Sequence, residues 1–204
     1  MTGFLIAYAA VSLIHLFFCW NGGHARLRDG TKVLLIPLLL GAAVCGGGPP
    51  LLWAALILGW LGDVLLLWPD KPAFFLGGLA SFLAGHGCYI PLLLGKRALP
   101  WGWAAVIGAA LAGLGAAVYL SLGKSLPGTM KLPGLAYLAV ILSMAFSAWL
   151  SGVPVLIFGA MLFVLSDYIL ARGLFVRKLP RGDFLVMLTY LLAQALLSLG
   201  LLCS

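Results

Sequence analysis

Apolar runs of about twenty residues, separated by short clusters of charge, proline and glycine, make up almost the whole chain. The breaks delimit spans near residues 3–21, 31–46, 51–68, 72–95, 101–122, 134–150, 154–172 and 183–203. A hydrocarbon slab about 30 Å thick is crossed by roughly 20 apolar residues of helix. The pattern therefore predicts an all-α, polytopic membrane helix bundle of about eight transmembrane helices, one transmembrane domain over residues 1–204, with no room for a soluble domain. Residues 22–30 read as a polar turn, Pro49-Pro50 and residues 68–72 as tight turns, and residues 123–133 as the longest connection.

Composition agrees: 64% of residues are hydrophobic and 8% charged, where soluble domains carry roughly 25% charged residues. The formal net charge is +7, but Lys and Arg are scattered singly and in pairs among turns rather than along a stripe, so no nucleic-acid partner is expected. Instead the charge orients the chain. Lys96 and Arg97 stand on one side of an eight-span layout. Arg26, Arg28, Lys32, Lys71, Lys124, Lys131, Arg172, Arg177, Lys178 and Arg181 stand on the other, which the positive-inside rule makes cytoplasmic, with both termini outside. The first span has no basic residue ahead of it and no small-residue cleavage site after it, so it reads as a retained helix rather than a secretory signal. Compactness favours a bacterial cytoplasmic membrane over a eukaryotic internal one. The four cysteines have no CxxC or paired spacing and read as packing residues.

The candidate chemistry is sparse and therefore legible. There is no Glu, and of five Asp, Asp29 and Asp70 fall in turns and Asp183 reads as a helix cap. Asp63 and Asp167 fall inside spans, where an Asp costs roughly 2.5–3.5 kcal/mol at mid-helix and usually faces a cavity or a partner. Each sits about five residues, or roughly 8 Å, before the cytoplasmic end of its span. His15 and Tyr137 enter at a similar depth, and His86 lies further from that side. Tyr8, Ser12, His15 and Cys19 share one helix face, as do Tyr190, Gln194 and Ser198. Gly77, Ser81 and Gly85 let the fourth helix approach a neighbour closely.

Two carboxyls in a low-dielectric cavity suit acid–base work, because desolvation and mutual repulsion favour one protonated and one ionised group. The same residues could simply link helices. No phosphate loop, GxSxG elbow or HExxH motif is present. His15, His86 and the aspartates are a thin ligand set, so no metal is expected. A proton-coupled transporter is the competing class, supported by an echo between residues 61–66 and 165–170 that resembles a parallel repeat. A metal-dependent membrane amidase or lipase is a third.

The chain resembles the YhhN-like integral membrane family, which includes the lysoplasmalogenases. The resemblance rests on Thr31-Lys32, Gly62-Asp63, Phe75 and Gly78 followed by Phe82, His86 and Tyr89, Tyr137 with Met144, Ser166-Asp167, and Tyr190 with Gln194. Val33 departs from it, where the family tends to carry proline. The resemblance implies hydrolysis of the vinyl ether bond of lysoplasmalogens to a fatty aldehyde and a glycerophosphoethanolamine or glycerophosphocholine, with no metal or organic cofactor. The partners are then a lysophospholipid substrate and the surrounding membrane lipids. On that reading Asp63 and Asp167 are the acid and base, in either order. His86, Tyr137, Tyr190 and Gln194, with His15 at a similar level, orient water or the glycerol hydroxyl, and Lys32 and Arg172 hold the phosphate at the rim.

Overall fold

A computed structural model describes residues 1–22 and 24–203. The described residues form eight α-helices and no strand: α1 Thr2–Asn21, α2 Ala25–Cys45, α3 Pro50–Leu65, α4 Pro72–Leu94, α5 Gly102–Gly123, α6 Gly128–Ser151, α7 Pro154–Phe175 and α8 Gly182–Cys203. Gly23, within the predicted turn at 22–30, lies outside the described residues. The chain is an all-α, multi-pass membrane protein. Six helices, α1 and α4 to α8, have the length and apolarity to cross a bilayer. The other two of the eight miss those limits on different grounds. The first turns of α2 carry Arg26, Arg28, Asp29 and Lys32, and α3 has 16 residues, about 24 Å at 1.5 Å per residue.

Several boundaries differ from the hydropathy breaks. The predicted turn at 22–30 is helical from Ala25 onward, because Ala, Leu and Arg favour helix and a charged turn can project beyond the apolar stretch. Similarly, α6 begins at Gly128 and runs through Pro133, taking in half of the supposed loop. Asp183 lies within the first turn of α8 rather than capping it, a position where negative charge faces the positive end of the helix dipole. Other boundaries follow local rules. Pro50 and Pro154 open α3 and α7, where a missing N–H costs nothing. Gly22 and Gly152, with φ of 66° and 67°, close α1 and α6 in the left-handed region.

Two compact units make up the chain, Met1–Leu92 with Ser198–Ser204, and Leu93–Leu197. In the first, α2 packs against both α1 and α3, burying Leu35, Ile36 and Leu39 of α2 and Leu52 and Leu56 of α3. Trp60 Nε1 donates to the Val33 carbonyl at 2.9 Å, tying α3 to α2. The predicted small-residue face of α4 meets α3 closely. Ser81 Oγ donates to the Leu58 carbonyl at 2.7 Å, and a Cβ on Gly85 would stand 3.2 Å from the Ala55 carbonyl oxygen. In the second unit α5, α6 and α7 pack on one another. Gly159 of α7 lets α8 approach, since a Cβ there would lie 3.1 Å from the Leu197 backbone nitrogen.

Candidate functional site

In the second unit, α6 and α7 bring Tyr137 to Asp167. The Tyr137 hydroxyl donates to Asp167 Oδ2 at 2.6 Å, and both residues are half-buried. At 2.6 Å this is a short O–H···O bond. Asp167 stands two turns before the end of α7, flanked by groups with partners of their own. Ser166, buried, donates to the Val186 carbonyl of α8 at 3.0 Å. Tyr168 accepts from Arg172 Nη1 at 3.1 Å, one turn further along α7. On α8, Tyr190 and Gln194 are both buried and share a face as predicted, with Gln194 Nε2 3.4 Å from the Tyr190 hydroxyl. Phe163 of α7 meets the Tyr190 ring edge-on, centroids 5.4 Å apart.

In the first unit the corresponding carboxyl is Asp63, in the last turn of α3. Lys32 Nζ lies 3.3 Å from Asp63 Oδ1, and the Asp63 side chain is only 5% exposed. A carboxylate that deep is stable only with a partner, and α2 supplies it. On α1, Tyr8 and Ser12 are buried on one helix face. On α4, His86 is buried and stacked on Phe82, with ring centroids 6.5 Å apart. Phe82 in turn covers Gly62, where a Cβ would come within 2.6 Å of the ring. That contact leaves Gly as the residue that fits before Asp63.

His15 forms a third arrangement. Its Nδ1 is 2.9 Å from Thr31 Oγ1, and its Nε2 is 3.4 Å from Cys19 Sγ. The Thr31 hydroxyl donates to the carbonyls of Leu27 and Arg28, both at 2.9 Å. It therefore accepts from His15 Nδ1–H, which leaves Nε2 as the acceptor of the Cys19 thiol proton. The imidazole thus links α1 to the start of α2.

Within each unit the structure gives several of the expected site residues a partner. Tyr137 meets Asp167, and Tyr190 meets Gln194. Lys32, expected at a phosphate, has a carboxylate partner. His15 has Thr31 and Cys19. Thr31, singled out in the sequence only through the resemblance, carries polar contacts to His15, Leu27 and Arg28. Its signal was positional: it stands one turn after Leu27.

The YhhN family profile matches residues 27–201. The human protein named lysoplasmalogenase TMEM86B is 35% identical over 160 residues, covering 78% of this chain and 66% of its own length. The chain thus spans just under two thirds of that relative. Mouse lysoplasmalogenase TMEM86B is 36% identical over 169 residues, covering 82% of this chain and 71% of its own length. The lysoplasmalogenase of Mycobacterium tuberculosis is 31% identical over 189 residues, covering 87% and 71%. No solved structure matches the chain.

Proposed function

This chain belongs to the YhhN family, and we propose that it is a membrane-embedded hydrolase that cleaves the vinyl ether bond of lysoplasmalogens. The observation that carries the reading is the Tyr137–Asp167 hydrogen bond, a carboxyl with a proton-bearing partner on a helix apolar enough to cross a bilayer. The relatives named lysoplasmalogenase support it and lend nothing to a transporter.

The reaction adds one water across one bond. A proton goes to the alkene carbon remote from oxygen, leaving an oxocarbenium ion at the carbon bonded to oxygen. Water attacks that carbon and loses a proton. The resulting hemiacetal collapses: its hydroxyl proton passes to the glycerol oxygen as that C–O bond breaks, releasing a fatty aldehyde and a glycerophospho-alcohol. Asp167 suits the proton steps. As the acid it protonates the alkene, as the resulting carboxylate it steadies the cation, and as a base it takes the proton of the attacking water. Tyr137 holds the carboxyl in place throughout. Asp63 remains in the proposal as a fixed carboxylate, because Lys32 holds it as an anion.

The distribution of Lys and Arg supports both termini lying outside the cytoplasm, and the compactness of the chain supports a bacterial inner membrane. Aldehyde release from a lysoplasmalogen by the purified protein, compared with its Asp167→Asn variant, tests the catalytic reading.

A further inference from the structure

Between α5 and α7 of the second unit lies a partly open groove of about 330 Å³, within the roughly 300–1,000 Å³ of ligand sites. Leu114, Ala117 and Val118 of α5 form one wall, and Met161, Val164 and Leu165 of α7 the other. Each apolar wall covers about 6 Å of helix, and about 10 Å once Ser121 and Tyr168 are included, at 1.5 Å per residue. The groove changes character at one end, where Ser121 and Tyr168 bring hydroxyls. Beyond them, Arg172 is exposed and donates to the Tyr168 hydroxyl at 3.1 Å. Lys124, also exposed, closes α5 on the same stretch of chain that follows Ser121.

An apolar slot leading to hydroxyls and then to cations matches a single-chain phospholipid, read from its tail to its headgroup. We propose that this groove binds one such lipid, taken from the bilayer, with its hydrocarbon chain along Leu114, Val118 and Met161 and its phosphate on Arg172. A guanidinium is the side chain best matched to a phosphate, through paired N–H donors. This inference deepens the lysoplasmalogenase reading and rests on it for the identity of the lipid. The vinyl ether bond of a lysoplasmalogen lies where chain meets glycerol. A chain seated in the groove puts that junction near Tyr168, the residue that follows Asp167.

The test is photolabelling of the purified full-length protein with a lysophosphatidylethanolamine carrying a diazirine in its chain, followed by peptide mass spectrometry. Label is expected on peptides containing residues 114–121 and 161–168. Ala117→Trp, which fills the groove from its open side, should reduce that label about tenfold. Arg172→Gln, at an exposed position that the fold does not need, should weaken labelling several-fold at limiting lipid. Its effect should vanish with a diazirine-bearing monoalkylglycerol that lacks the phosphate. Label falling elsewhere, or unchanged in both variants, would overturn the groove. Labelling does not require turnover, so the two readings fail separately. Groove labelling without aldehyde release would sink the hydrolase, and aldehyde release without groove labelling would sink the groove.

Discussion

The Tyr137 hydroxyl and Asp167 Oδ2, 2.6 Å apart, join α6 to α7 through a hydrogen bond. If this carboxyl moves the protons of the reaction, Asp167→Asn should cut aldehyde release about 100-fold or more, the scale of a lost acid–base group. Tyr137→Phe removes only the bond that positions it, and a loss of up to about tenfold is expected, from a hydrogen bond worth roughly 0.5–1.5 kcal/mol. Both variants should elute as folded, monodisperse protein. Near-parental turnover in Asp167→Asn would remove Asp167 from the chemistry.

The Lys32–Asp63 pair makes a different prediction, about stability. Breaking a buried ion pair from one side strands a charge and costs about 3–5 kcal/mol, whereas replacing both partners with apolar groups is often neutral. Lys32→Met and Asp63→Asn should each lower the thermal midpoint in detergent, and Lys32→Met with Asp63→Leu should recover most of the loss. Singles and double melting together would show that the pair does not hold α2 to α3. Turnover of the double variant, once folded, reads the part of Asp63 in catalysis directly.

Gly62 and Phe82 test the close approach of α3 and α4. A Cβ at Gly62 would come within 2.6 Å of the Phe82 ring, so Gly62→Ala forces the ring to move. The expected cost is about 1–3 kcal/mol of overpacking. Phe82→Leu introduced with it should relieve that cost, a rescue that thermal melting would detect and that a purely conformational effect of the glycine would not show.

Much of this arrangement was legible in the sequence, and the rest was hidden for identifiable reasons. The buried face of α1 is the predicted Tyr8, Ser12, His15 and Cys19 stripe, because helical periodicity places those residues on one side regardless of the neighbour. Tyr137 was expected near the level of Asp167, since depth can be counted from the span ends. The start of α2 was misplaced because hydropathy marks where a helix leaves the hydrocarbon, not where its hydrogen bonds stop. Asp63 was expected about a turn and a half inside its span, but α3 ends at Leu65, which puts it in the last turn. The Lys32–Asp63 pairing joins two helices, and no spacing along the chain encodes which faces they present to each other.

The native cysteines report the orientation. Cys45 ends α2 and Cys203 ends α8, and both are exposed, while Cys19 near the end of α1 is buried. With both termini outside, the ends of α2 and α8 face away from the cytoplasm. A membrane-impermeant maleimide applied to intact cells should then label Cys45 and Cys203 without lysis. Labelling that appears only after the membrane is opened would reverse the topology.

The most direct measurement is aldehyde release by the detergent-purified protein from a lysoplasmalogen and from the matching ester-linked lysophospholipid, each with and without chelator. The account predicts chelator-resistant release of aldehyde from the vinyl ether lipid, with no cleavage of the ester. Folded protein that releases no aldehyde, or that cleaves the ester equally well, would contradict it.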